Sequence, residues 1–178
     1  MSKVRVKTSS HRRNPHALKV LATRVSRQAA DAVLDVAKHA LTVAVQGTPK
    51  WSGEATQSWG LYFDKPSSTG ELSRSSDIPP LRFPEGISDA AAGALNRKVV
   101  NSQMQKIRVG LYSKARAGKP LHIFLHNSAP QSQIWLSGED LTIQSLLRIQ
   151  NHDYYTMADI RREVEMYSGV KNMSRGFF

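Results

Sequence analysis

No cysteine occurs in the chain. Disulfides and thiolate metal sites are therefore excluded, and the absence fits assembly in a reducing cytoplasm. Acidic residues are also scarce: 14 Asp and Glu stand against 25 Lys and Arg, and they are spread along the sequence. A nuclease that holds Mg²⁺ on clustered carboxylates needs more than that. No apolar run approaches the roughly 18 residues of a membrane span. The first sixteen residues are basic and lack an apolar core, which argues against a secretory signal. Walker, dinucleotide and GxSxG signatures are missing. No paired acids have a spacing that implies acid–base work. The reading is of a chain without catalytic, cofactor or metal chemistry.

What is present is an uneven positive charge. The formal net charge is +11 over 178 residues. Lys3, Arg5, Lys7, Arg12, Arg13, Lys19, Arg24 and Arg27 all precede the first acid, Asp31. A one-signed segment repels itself and seeks a polyanion or an acidic protein face. Residues 1–14 read as an extended basic arm. Lys3, Arg5, Lys7, Arg12 and Arg13 are its candidate contacts to DNA or an acidic partner.

Asn14-Pro15 is a helix-start signal. From His16 to about Val45, apolar residues recur at helical spacing: Leu18, Leu21, Ala22, Val25, Ala29, Ala32, Val33, Val36, Ala40 and Val43. Leu34, Leu41 and Val45 widen the stripe in the second half. That widening predicts burial against another chain, with Val33, Leu34, Leu41 and Val45 at a subunit interface. Gly47 is a C′ candidate, and Thr48-Pro49 stops the helix.

The chain turns on Thr48–Asp64. Ser52-Gly53 supplies a turn or a fresh N-cap, and Ser58–Phe63 is a β-favouring run carrying Trp59, Tyr62 and Phe63. Residues 65–87 are rich in Ser, Pro and Gly and read as a long surface loop. Ser88 caps a second helix running through Ser113, whose tail also alternates like a strand at Ile107, Val109 and Leu111. Leu121–Leu125 reads as a short strand ended by Asn127. Leu141–Ile149 fits helix or strand. Met157–Tyr167 is a short helix, and Gly169 opens a C-terminal tail over 168–178. The expected fold is α+β. A long N-terminal helix packs on a small, mostly antiparallel sheet, with a second helix and terminal arms around a single domain, 15–167. Trp51, Trp59 and Trp135 are expected as core or interface anchors. Phe177 and Phe178 either dock on a neighbouring subunit or fray. His122 and His126, four apart, would need a third ligand to hold a metal.

Thr48-Pro49-x-x-Ser52-Gly53, followed by Ser58-Trp59, resembles the TP-x-x-TG-x-x-x-x-SW stretch of the HK97 gp10-like family, the tail completion or neck proteins of tailed bacteriophages. A second similarity follows it: the Ala-rich Asp89–Leu95, the strand LHIFLH, then Asn127, Pro130 and Gly138 at the family's spacing. The family's Tyr-Ala is Gln131-Ser132 here, and its Leu-Glu is Trp135-Leu136. Trp51 and Glu54 replace its usual acid and basic residue around the first motif. The likeness covers about residues 16–150. It implies a structural virion protein in the neck, assembled in the host cytoplasm. It also implies a homo-oligomeric ring, typically of six and possibly of twelve, between head connector and tail tube or sheath. Contact with packaged DNA is compatible with that place; a membrane is not involved. The alternative from composition alone is a basic nucleic-acid-binding protein.

Overall fold

The structure is a computed structural model; it describes residues 15–48, 53–66, 88–129, 132, 136 and 154–175. In chain order the elements are α1 (Pro15–Gln46), α2 (Glu54–Gln57), β1 (Trp59–Tyr62), α3 (Asp89–Arg116), β2 (Phe124–Asn127) and α4 (Met157–Arg175). The architecture is α+β, as the periodicities imply.

α1 spans 32 residues with no Gly or Pro after its first position, so it forms a rod about 48 Å long at 1.5 Å per residue. Its second half is the spine of the molecule. α3 runs antiparallel along it: Tyr112 meets Asp31, and Asn101 shares a groove with Lys38. α4 runs antiparallel along another side. The Tyr155 amide donates to the Gly47 carbonyl at 2.8 Å, and further along the Tyr167 ring stacks on His39 at 3.9 Å. β1 and β2 form a two-stranded antiparallel sheet with Trp59 opposite Asn127 and Tyr62 opposite Phe124. The main core joins Leu41, Ala44 and Val45 of α1 to Trp59 and Leu61 of β1, Leu95, Val99 and Ile107 of α3, and Ile160 of α4. A smaller cluster sets Ala30 against Leu111 and Ala115.

Each helix begins where its sequence directs. The Ser88 hydroxyl accepts from the Ala91 amide, an N-cap for α3. Thr156 and Asp159 form a reciprocal box at the start of α4, each side chain accepting from the other's backbone amide. The ambiguous tail of α3 is helical, because Ile107 and Leu111 lie four apart on the face turned to α1.

Several expectations need correction. Leu41 and Val45 do not wait for a partner subunit: they are 0% and 2% exposed in the core of this one chain, and Trp59, 1% exposed beside them, takes the core alternative rather than the interface one. Sequence spacing reports how wide an apolar face is, not which chain covers it. The bare apolar surface lies instead on the first half of α1, where Leu18, Leu21 and Val25 are each at least half exposed. The strand expected at Leu121–Leu125 lies three residues later, because Asn127 fixes the pairing opposite Trp59. Leu121 and Ile123 pack on the smaller cluster before the strand begins. Gly169 does not stop the last helix, which continues to Arg175, so the tail expected from 168 is largely helical. One interior glycine costs only about 1 kcal/mol. Of the two alternatives at Ser52-Gly53, the fresh N-cap holds: the short α2 starts after Gly53, whose φ of 71° is left-handed.

Truncating Leu41 to Ala should destabilise the dilute chain by about 2–5 kcal/mol. Leu21→Ala should cost under about 0.5 kcal/mol. Urea denaturation of both variants below any association threshold checks this; equal losses would show that the first half of α1 is covered.

Candidate functional site

The motif stretch builds a buried polar joint between α1 and the sheet. Thr48, fully buried, donates from Oγ1 to the Ala44 carbonyl at 2.7 Å and accepts from the Trp59 indole Nε1 at 2.7 Å. Gly47 precedes it at a close approach: a Cβ there would stand 2.5 Å from the Tyr155 ring, so only glycine fits. Ser58 closes α2 by donating to the Glu54 carbonyl at 2.8 Å. Asn127 ties the second strand in. Its Nδ2 donates to the Ala55 carbonyl at 2.8 Å, and its Oδ1 accepts from the Ala129 amide at 2.9 Å. The Ser132 hydroxyl donates to the Asn127 carbonyl at 3.3 Å. Buried Gln103 of α3 accepts from the Leu61 amide at 3.3 Å, which satisfies the outer edge of β1. These groups hold backbone in place. None of them is a nucleophile set beside a base.

His122 is exposed before β2, and His126 is half-buried within it, where burial lowers its imidazole pKa below the ordinary value. Among the described residues, no group of three or more His, Asp or Glu could hold a metal ion. Nor is any helix among them long and apolar enough to cross a membrane.

Among the described residues, several grooves flank α1, three of which bear on its exposed surfaces. The first is apolar, about 560 Å³, with Ala32, Val33, Val36 and Ala40 of α1 facing Leu121, Ile123 and Phe124 and, from α4, Val164. At 100° per residue, Leu18, Leu21, Val25, Ala29, Ala32, Val36 and Ala40 share one face. The groove therefore continues the bare stripe of the first half of α1. The second groove, about 410 Å³, lies between α1 and α3 and carries Asp31, Asp35, Lys38 and Arg108. The third, about 810 Å³, extends the same α1–α3 seam toward the start of α1 and is cationic, with Lys19, Arg27, Arg108 and Arg116 along it.

Of the expected interface residues, Val33 and Leu34 are half-buried against the core, and Val33 also borders the apolar groove. Trp51, Trp135, Phe177 and Phe178 lie outside the described residues, as do Lys3, Arg5, Lys7, Arg12 and Arg13. Sequence reading counted Lys19 and Arg27 within a basic run but did not join them to Arg108 and Arg116, about 80 residues away. Only the antiparallel α1–α3 pairing does that. No protein-family model, curated protein or solved structure matches the chain.

Two outcomes test the joint and the start of α4. A double-mutant cycle of Thr48→Val and Trp59→Phe should show a coupling of about 1 kcal/mol in unfolding free energy; additive losses would show the two side chains to be independent. The Thr156 hydroxyl, then its amide, and more weakly the Arg162 guanidinium hold the Asp159 carboxyl below its usual range. A lowered carboxyl stabilises the fold above the unfolded value, near 4, and that contribution is lost as pH falls through the folded value. Acid titration of melting temperature should therefore show a loss beginning near pH 4 that Asp159→Asn removes.

Proposed function

We propose that this chain is a structural subunit of a tailed bacteriophage, forming a ring in the neck that completes or terminates the tail. The observation that carries this reading is the apolar face of α1. From Leu18 to Val36 it runs about 27 Å along the helix axis. Leu18, Leu21 and Val25 on it are 50%, 56% and 55% exposed. A lone soluble domain rarely leaves so continuous an apolar strip in water. The exposed stretch Leu18–Val25 and the groove beside β2, which is lined by Ala32, Val36 and Ala40, are two ends of one apolar face, so the exposed stretch of one copy can enter the groove of the next. Such a head-to-tail contact closes into a ring when the rotation per subunit permits.

Two further features support the reading. Of the residues that carry the family likeness, Thr48, Gly53, Ser58, Trp59 and Asn127 join rod to sheet, while Pro49, Ser52, Pro130 and Gly138 lie outside the described residues. The buried polar side chains of the joint bind backbone or, for Thr48 and Trp59, each other, which suits a scaffold better than a catalyst.

Light scattering on the eluted full-length chain should report a closed oligomer, six copies being the expectation. Leu18→Ser with Leu21→Ser should return it to monomer with an unchanged melting temperature. Imaging of virions from the encoding genome should place the subunit as a ring between head and tail. A monomer at all concentrations that is also absent from virions would refute the assignment.

A further inference from the structure

We infer that the cationic groove between the first half of α1 and the end of α3 binds the phosphodiester backbone of a nucleic acid. Lys19 and Arg27 stand two turns apart on one face of α1. Arg108 and Arg116 stand two turns apart on one face of α3. Each pair spans about 12 Å along its helix. The two rows face one concave channel of about 810 Å³ that also presents the Val109 side chain and the Tyr112 ring. All four cations are exposed, and among the described residues none lies within ion-pair distance of a carboxylate. Four positive charges held around one channel repel one another, an arrangement that a polyanion relieves.

The chemistry favours a phosphate chain over an acidic protein patch. A nucleic acid strand advances about 3.4 Å per phosphate along its axis, so a 12 Å row matches three to four consecutive phosphates. Lys3, Arg5, Lys7, Arg12 and Arg13 precede Lys19 in the sequence and lie outside the described residues. Asp31 and Asp35 border the adjoining groove and mark where the cationic rows end. This inference does not rest on the ring assignment. Lys19 and Arg27 lie on the α3 side of α1, roughly 100° and 180° around the helix from Leu18.

The test is fluorescence anisotropy of the full-length chain with a labelled duplex of about 20 base pairs and, separately, a single strand of that length, between about 0.05 and 0.2 M salt. Each phosphate contact contributes about 0.9 to the log–log salt slope on duplex and about 0.7 on single strand. Arg27→Gln with Arg108→Gln should shrink the duplex slope by about 1.8 and weaken binding about 30-fold at 0.15 M salt. Lys98→Gln with Arg161→Gln, exposed cations outside the groove, should leave the slope unchanged. A groove-dependent slope on either ligand supports the proposal, and the ligand with the larger loss is the one the groove takes. Equal loss from both pairs would overturn it, since binding would then follow overall charge. So would intact binding in the groove pair combined with loss in Arg12→Gln with Arg13→Gln, or groove-dependent binding of poly-glutamate alone.

Discussion

One buried hydroxyl sets the geometry of this molecule. Thr48 sits where α1 ends and turns its Oγ1 both ways, donating back to the helix at Ala44 and accepting from Trp59 at the start of β1. A buried hydroxyl with neither bond would cost about 1–3 kcal/mol, so the two elements are held to one mutual position. Trp59 then places β1, and the pairing with Asn127 places β2. Asn127 returns to Ala55 and closes the loop of constraints. Gly47 lets Tyr155 press against the same corner, which seats α4. Four elements thus converge on the last turn of one helix.

That convergence divides α1 into unlike halves. From about Ala30 onward it is enclosed by α3, α4 and the sheet, with Leu41 and Ala44 fully buried. Before that point it is largely exposed and carries two separate surfaces. One is the apolar stripe of Leu18, Leu21 and Val25, and the other is the row of Lys19 and Arg27. A rod anchored at one end and bare at the other suits an assembly in which copies share their projecting parts. The side chains of Lys19 and Arg27 point away from those of Leu18, Leu21 and Val25, with Ala22 between the two surfaces.

Much of the fold was legible in local chemistry. The Asn14-Pro15 start, the stop at Gly47, the Ser88 cap and the β-run at Trp59 each depend on neighbouring residues alone, and the elements lie where those signals put them. What local chemistry leaves open is partnership. The wide stripe at Leu41 and Val45 announces burial, but α3 and α4 supply the cover from more than 40 residues away along the chain. Likewise β2 starts later than its apolar run because Asn127, not Leu121, pairs opposite Trp59. The cationic groove was invisible for the same reason: Arg108 and Arg116 alternate with apolar residues on an ordinary helix until α1 is laid beside them.

The central claim is that α1 is held by its second half and left bare along its first. Native-state amide hydrogen exchange on the dilute chain reads this directly, since exchange protection reports local opening free energy. The account predicts that amides of residues 37–46 exchange only through global unfolding. Those of residues 18–26 should exchange by local fraying and gain protection as concentration rises. Uniform protection along the whole of α1 in the dilute chain would contradict it.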